Sequence, residues 1–166
     1  MTFFPEKQGL YNPINEKDNC GVGFVANIKG QKSHHVITDG LEILKKLVHR
    51  GATGADPETG DGAGIMIQIP DKFLRKEMKL REIELPQPGD YAVAMIFLPK
   101  EPNARYYCEG VLERIIEEEG LSLIGWRMVP VNEMACGFSA RGTCPIVHQL
   151  FIEKGNYSQE EFNRKL

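Results

Sequence analysis

Apolar runs of strand length alternate with segments of helical spacing along most of this chain, and that alternation is the strongest constraint on its fold. The clearest strand is predicted over residues 91–98 and the clearest helix over 103–119, which Gly120 ends. Val111, Leu112, Ile115 and Ile116 are expected on the inner face of that helix. Two more strands are predicted over 121–131 and 145–152. Several connections are short or rich in proline, so the pattern allows either a parallel α/β sheet or a layered α+β fold.

The N-terminal part predicts further elements. Residues 1–19 lack periodicity and are expected to form an extended leader. Residues 20–28 predict a buried strand with two glycines, which in a strand often mark the close approach of another backbone or a ligand. Residues 37–48 predict a helix and residues 65–69 a strand, after which Asp71 is expected to cap a short helix.

The last residues predict one more helix. Ser158 and Glu161 have the spacing of a capping box, and the chain stops at Leu166, about two turns later. This position predicts that the sequence is a fragment or that another chain completes its fold. A short terminal helix is the alternative.

Composition limits the possible functions. A chain of 166 residues is long enough for one domain with a core. The net charge of -3 gives no indication of nucleic acid or an anionic membrane as partner. No apolar run reaches the length of a membrane span and no secretory signal is present, so a cytoplasmic location is expected. The four cysteines lack CxxC spacing, so we expect free thiols and no metal site.

Two other motifs are weaker indications of function. The segment 51–64 contains five glycines, but it matches neither a dinucleotide-binding pattern nor a P-loop, so a turn-rich loop near a site is favoured. His34 and His35 would point to opposite faces of a strand, which disfavours a metal site. His49 and His148 are isolated in the sequence and are expected to be structural.

Cys20 has the strongest case for catalysis. A thiol attacks as the thiolate, and the pKa of a free cysteine lies above neutral pH. If residues 1–19 were removed, the α-amine of Cys20 could accept the thiol proton itself or through one water. Arg50, at the end of the predicted helix, could return to this point and orient a carboxylate or fix the loop around Cys20.

Five segments, in order along the chain, together carry a specific pattern, and the similarity around them extends over about residues 9–153. They resemble the N-terminal class II glutamine amidotransferase domain of the glutamate synthase large subunit. The segments are Cys20-Gly-Val-Gly-Phe-Val-Ala, Leu47-Val-His-Arg-Gly-Ala, Gly60-Asp-Gly-Ala-Gly, Phe97-Leu-Pro and Gly125-Trp-Arg-Met-Val-Pro-Val.

This resemblance implies an α+β fold, the four-layer αββα sandwich of N-terminal-nucleophile (Ntn) hydrolases, of which the chain holds the leading part. It also implies a leader of residues 1–19 and an amidotransferase domain over 20–166. The Cys20 thiolate would attack the side-chain amide of glutamine, ammonia would leave, and water would cleave the thioester. Arg50 and Gly21 would support the site, Gly21 by letting the chain pass close to the substrate.

The same resemblance implies no cofactor on this chain, and FMN and an iron–sulfur cluster on the rest of the enzyme. There the ammonia would serve the synthesis of glutamate from 2-oxoglutarate. The implied partners are glutamine and the remaining glutamate synthase domains or subunits.

Two segments of the family's site do not occur in this sequence. They are a His-Ser-Arg-Phe run, whose arginine binds the substrate carboxylate, and an Asn-Gly pair that forms the oxyanion hole. Arg141 and Asn156 lack the flanking residues to replace them. Loss of one oxyanion donor typically costs ~2.7–4 kcal/mol of transition-state stabilisation. We therefore expect little or no turnover from the isolated chain.

Two other functions stay open at this point. The chain could be a noncatalytic fragment or interaction module that needs a partner chain to complete the site. It could also be an Ntn hydrolase that acts on a different amide.

Overall fold

The chain divides into two compact units, residues 1–67 and 68–166. The structure is a computed structural model, and it describes residues 7–9, 12, 21–47, 56, 58–60 and 62–166.

The described part of the first unit contains one α-helix, α1, which spans His34–Lys46. It begins earlier than predicted because Ser33 provides the N-cap, and the Ser33 hydroxyl accepts a hydrogen bond from the His35 N–H at 3.1 Å. Two lysines in the last turn suit the negative end of the helix dipole. The predicted end at residue 48 lies outside the described residues.

Two predicted strands are wrong where the structure describes them. Residues 21–27 and 65–69 belong to no strand, and Ile28 lies in a turn. Most of their apolar side chains are open to solvent, with Ile28 and Met66 almost fully exposed. Apolar and β-branched composition gives a segment the tendency to pair, whereas a strand also needs a partner backbone to complete its hydrogen bonds.

The second unit is built on a three-stranded antiparallel sheet. The strands are β1 (Tyr91–Leu98), β2 (Ser122–Met128) and β3 (Ile146–Glu153). Their spatial order is β1-β3-β2, so the last strand of the sequence lies in the middle. This arrangement settles the choice left open by the sequence, because an antiparallel sheet with separate helices is α+β and not parallel α/β.

Helices connect and cover these strands. The long helix α3 links the two edge strands β1 and β2, which run parallel to each other on either side of β3. The predicted bounds of α3 and of the three strands hold to within three residues. The helices are α2 (Asp71–Lys79), α3 (Pro102–Glu118), a 3-10 turn (Glu133–Ala135), α4 (Phe138–Thr143) and α5 (Gln159–Lys165).

One hydrophobic core lies between the sheet and α2. Leu74 and Met78 of the helix pack with the strand residues Tyr91 and Phe151, and Leu85 closes the cluster. All five are buried, and Phe151 and Met78 have no solvent exposure. This core orients α2 on one face of the sheet.

A second core lies on the opposite face, under α3 and α5. Its buried residues are Leu150 and Ile152 of the central strand, Ile116 of α3, Phe162 of α5, and Leu121, which lies between α3 and β2. Both faces of β3 are therefore buried at Leu150, Phe151 and Ile152, which explains the continuous apolar run at these three positions.

One detail of the predicted α3 core is wrong. Ile116 is buried and Leu112 packs against it, as predicted, but the neighbouring Ile115 is 44% exposed. Residues 115 and 116 lie about 100° apart around a helix, so a narrow apolar stripe buries only one of them fully.

Asp71 does not cap α2 as predicted. Pro70 occupies the cap position and Asp71 is the first helical residue. Its carboxylate instead accepts hydrogen bonds from Tyr91 and Arg75, each at 2.9 Å. Burial, reinforced by the Asp71 hydrogen bond, raises the pKa of Tyr91 to about 12. The tyrosine therefore stays neutral and joins β1 to α2.

In the described part of the chain, no helix is both long and apolar enough to cross a membrane.

Candidate active site

Of the three residues predicted for the site, the structure describes Gly21. Cys20 and Arg50 lie outside the described residues. Gly21 is described, and it is half-buried at the start of an extended segment. The structure therefore locates the chain just after the nucleophile, and the roles of Cys20, Arg50 and Gly21 stay predictions.

The segment that follows Gly21 lies directly against α1. The side chains of Val22 and Phe24 are 86% and 90% exposed, and between them Gly23 faces Ile43 of the helix. A Cβ atom on Gly23 would lie 2.7 Å from Cγ2 of Ile43. Only glycine fits at this distance. The neighbour is a side chain, whereas the sequence predicted the approach of a backbone or a ligand.

A tight turn connects this segment to α1. The Gly30 N–H donates to the Asn27 carbonyl at 2.9 Å, and the Asn27 side chain accepts from the Lys29 N–H at 2.9 Å. Gly30 has a φ of 65°, which favours glycine. The turn brings residues 21–25 back along the helix within the first unit.

The histidine pair lies in a helix and not on a strand. His34 and His35 form the first turn of α1 because Ser33 caps the helix there. The Nδ1 atom of His35 lies 2.9 Å from Oδ2 of Asp39, one turn along the helix. A backbone hydrogen bond, followed by the hydrogen bond and charge of Asp39, raises the pKa of His35. The contact between His35 and Asp39 is local to the helix and gives no indication of catalysis.

In the glycine-rich loop, Asp56 forms local hydrogen bonds with residues that follow it. The Asp56 carboxylate accepts hydrogen bonds from the Thr59 hydroxyl at 2.8 Å and from the Glu58 N–H at 3.1 Å. The Thr59 N–H also donates to the Asp56 carbonyl at 3.0 Å. These bonds form a turn, in agreement with the prediction of a turn-rich loop.

Sequence reasoning missed a buried arginine in the second unit. Arg127 of β2 is 5% exposed and donates to the Glu77 carboxylate at 2.8 and 3.2 Å and to the Gln149 side chain at 2.9 Å. Its guanidinium lies over the Phe73 ring, 5.3 Å from the centroid. Strict alternation along β2 would place Arg127 and Ile124 on opposite faces, and only the β-bulge between Leu123 and Gly125 brings both to the face of the first core. The strand pattern alone therefore carried no signal for Arg127. The contacts hold α2 on the sheet.

His148 is also structural, as predicted. It lies 15% exposed under α3, with Nδ1 2.9 Å from Oε1 of Glu109. The separation is an ion-pair distance, but Nδ1 has no partner at hydrogen-bonding angles. The ring meets Trp126 edge-on, and the Trp126 N–H donates to Glu113 at 2.7 Å. Both residues fix the second core.

The three other cysteines are described, and all lie in the second unit. Cys108, Cys136 and Cys144 are free thiols and half-buried. Over the described ranges, no three or more His, Cys, Asp or Glu side chains are grouped so that they could hold a metal ion.

Comparison with known proteins assigns the family. The family model for class-II glutamine amidotransferases matches residues 20–166, which is most of the chain. The chain belongs to the class-II glutamine amidotransferases. The match to this amidotransferase begins at Cys20, and residues 1–19 lie outside the matched segment.

Relatives of this amidotransferase include glutamate synthases whose names specify NADPH, NADH or ferredoxin. The chain is 44% identical to the NADPH glutamate synthase large chain of Bacillus subtilis over 170 residues, which cover 100% of this chain and 11% of the relative. It is 39% identical to the NADH glutamate synthase of Schizosaccharomyces pombe, over 98% of this chain and 8% of the relative. It is 37% identical to ferredoxin-dependent glutamate synthase 2 of Synechocystis, over 84% of this chain and 9% of the relative.

The chain thus spans about a tenth of the length of these relatives. The resemblance to the glutamate synthase amidotransferase domain, predicted from five short segments, is confirmed by these comparisons.

Proposed function

We propose that this chain is the glutaminase part of a glutamate synthase, and that it releases ammonia from glutamine through Cys20. The observation that carries this proposal is the position at which the family match begins. The match starts at Cys20 and leaves residues 1–19 outside, as expected if those residues are a leader and Cys20 becomes the first residue of the mature domain.

The proposed reaction needs one residue in two roles. The α-amine of Cys20 accepts the thiol proton, and the thiolate attacks the amide carbon of glutamine. The nitrogen leaves as ammonia after protonation, and water cleaves the glutamyl thioester to give glutamate. Arg50 binds or orients a carboxylate beside the thiol, and Gly21 leaves room for the substrate.

We propose the four-layer αββα sandwich as the fold of the complete domain. The mixed helix and antiparallel-sheet architecture of the second unit is compatible with it. Further segments outside this sequence would supply the oxyanion hole and the carboxylate-binding arginine.

In the complete enzyme, the ammonia serves the synthesis of glutamate from 2-oxoglutarate. The remaining glutamate synthase domains or subunits are therefore the proposed partners, and FMN and an iron–sulfur cluster are proposed to lie on them. We propose the cytoplasm as the compartment, although some relatives carry chloroplastic in their names.

A second candidate function follows from the missing motifs. Without the His-Ser-Arg-Phe and Asn-Gly segments, the chain could act as a noncatalytic module that needs a partner chain to complete its site. The two functions differ in whether Cys20 reacts with glutamine or its analogues.

Covalent labelling of Cys20 tests the proposal without requiring turnover. The protein that carries this chain together with the segments proposed to complete its site is incubated with a diazo ketone analogue of glutamine, and the labelled peptide is identified by mass spectrometry. We expect a mature terminus at Cys20, labelling of its thiol, and protection by glutamine. Cys20→Ala should abolish the labelling, whereas Cys108→Ala, which removes a half-buried thiol, should leave it unchanged. An unprocessed chain that the analogue does not label would contradict the proposal.

A further inference from the structure

We propose that Ile43 is a positioning residue for the nucleophile, and that it acts through its contact with Gly23. This inference rests on the proposed function, because it assumes that Cys20 is the reacting residue. It adds a residue of α1 that neither the sequence motifs nor the family match identifies as part of the site.

The first step is the distance between Gly23 and the helix. The position that a Cβ atom would take on Gly23 lies 2.7 Å from Cγ2, 3.5 Å from Cδ1 and 3.8 Å from Cβ of Ile43. Carbon atoms that are not bonded prefer separations of about 3.5–4.0 Å. The Cδ1 and Cβ distances are ordinary contacts, so the Cγ2 methyl alone makes the site too small for any residue except glycine.

The second step concerns the stiffness of this methyl group. A β-branched side chain in a helix is largely held in one χ1 rotamer, so Cγ2 of Ile43 has no easy way to move aside. Ile43 lies in the interior of α1 and is half-buried. The helix therefore presents a fixed surface against which the extended segment rests.

The third step connects this surface to the nucleophile. Gly23 is three residues from Cys20, and three residues span at most about 10 Å of chain. The described segment 21–27 has no strand pairing to fix its position. The contact between Gly23 and α1 is therefore one of the restraints on the position of the chain at Gly23, and through it on the position of Cys20.

The expected size of the effect follows from the missing space. A methyl group on Gly23 would have to move about 1 Å to reach a normal separation from Cγ2. A displacement of about 1 Å at a reacting group can reduce a rate by about 100-fold. We expect Gly23→Ala to slow the labelling of Cys20 by the diazo ketone analogue by about tenfold to 100-fold.

Two double variants separate the contact from a general effect of substitution. Ile43→Leu removes the Cγ2 methyl and keeps the number of carbon atoms, whereas Ile43→Val keeps the equivalent of Cγ2 and removes Cδ1. We expect Gly23→Ala with Ile43→Leu to recover labelling to within about threefold of the unaltered chain. Gly23→Ala with Ile43→Val should stay as slow as Gly23→Ala alone.

The experiment measures the maximal labelling rate and the half-saturating analogue concentration separately, in the same complete protein as the labelling test above. A positioning role predicts a change in the maximal rate with little change in half-saturation. Iodoacetamide, which does not need the glutamine site, should modify Cys20 at similar rates in all variants. Thermal unfolding followed by circular dichroism shows whether each variant is folded.

The possible outcomes distinguish this inference from the function on which it rests. If the unaltered chain is not labelled at Cys20, the proposed function fails. If it is labelled, but Gly23→Ala reacts equally fast or Ile43→Leu gives no recovery, only the role of Ile43 is refuted. A double variant with Ile43→Leu that fails to fold also counts against it, because relief of the contact should restore the local structure.

Discussion

Arg127 shows how one charged side chain contributes to the fold at the scale of a residue. Its guanidinium is 5% exposed and is held by Glu77, Gln149 and the ring of Phe73. A buried arginine is tolerated only when its donors are paired, and here the pairs extend from β2 to α2 and β3. The hydrogen bonds from Arg127 lower the pKa of Glu77.

We expect this pair to make stability depend on acid pH. Because the pKa of Glu77 is lower in the folded state, its contribution is present above the pKa in the unfolded chain, near 4.5, and is lost as the pH falls through the folded value. At pH 7, Glu77→Gln should lower the melting temperature. The difference from the unaltered chain should shrink below about pH 4.5, which thermal melts between pH 7 and 3 would measure.

Glu117→Gln is the matched control for this prediction, because Glu117 is exposed on α3. It should leave the melting temperature nearly unchanged across the same pH range. An equal and pH-independent effect of the two substitutions would show that the Arg127 contact does not contribute.

At the scale of elements, the end of α3 is defined by backbone geometry. The Leu121 N–H donates to the Ile116 carbonyl and the Gly120 N–H to the Glu117 carbonyl, each at 2.9 Å. Gly120 has a φ of 73°, and Leu121 shares the second core with Ile116. This is a Schellman motif with its hydrophobic contact, so the prediction that Gly120 ends the helix is confirmed.

Gly120→Ala should be destabilising for two separable reasons. A side chain in the left-handed region costs about 1–2 kcal/mol. In addition, the new Cβ would lie 2.6 Å from the Tyr157 hydroxyl oxygen. Adding Tyr157→Phe should restore the part due to the hydroxyl and leave the backbone part. Urea unfolding of both variants measures the two parts, and a complete recovery would contradict the backbone part.

The last helix depends on both its cap and its anchor. In α5, the Ser158 hydroxyl accepts from the Glu161 N–H at 3.2 Å, and the Glu161 carboxylate accepts from the Ser158 N–H at 3.0 Å. The predicted capping box is therefore confirmed. A helix of seven residues is not stable by itself, so its burial of Phe162, which is 1% exposed, is the larger contribution.

We expect Ser158→Ala to reduce the free energy of unfolding by about 1 kcal/mol and Phe162→Ala by about 3–5 kcal/mol. Denaturant unfolding with unchanged slope would measure both. Phe138→Ala is the control, since Phe138 is 85% exposed and its loss should change the value by less than about 0.5 kcal/mol. Equal losses at Ser158 and Phe162 would contradict the ranking.

At the scale of the whole molecule, both hydrophobic cores belong to the second unit. The two clusters contain residues between Leu74 and Phe162, and they cover opposite faces of one sheet. The pairing of the three described strands also lies within residues 91–153. A segment with two cores and all of its sheet hydrogen bonds has what an independently folding domain requires.

We therefore expect residues 68–166, expressed alone, to unfold in a single cooperative transition. The urea dependence should have a slope of about 1–3 kcal/mol per molar, as for other small domains. Phe151→Ala should abolish or greatly weaken the transition because Phe151 is fully buried. Phe97→Ala, at a side chain that is 69% exposed, should leave it nearly unchanged. A gradual melt of the unaltered segment would contradict independent folding.

The sequence by itself determined the three strands and the helices α2, α3 and α5 of the second unit, since local signals encode them, whereas it gave no prediction of α4 or the 3-10 turn. Capping at Ser158, the glycine after α3 and the apolar runs of the strands act over a few residues, and the structure confirms them. The ordered segments likewise identified the family, because its pattern resides in residue identity, and Cys20 as nucleophile stays a prediction from that pattern.

Only the tertiary structure decided what depends on a partner distant in the sequence. It placed β3 between the other strands, paired Arg127 with Glu77, and set Gly23 against Ile43. It also left residues 65–69 unpaired despite their strand-like composition. The physical reason is that composition sets what a segment can bury or donate, whereas the receiving surface is created by other segments when the chain folds.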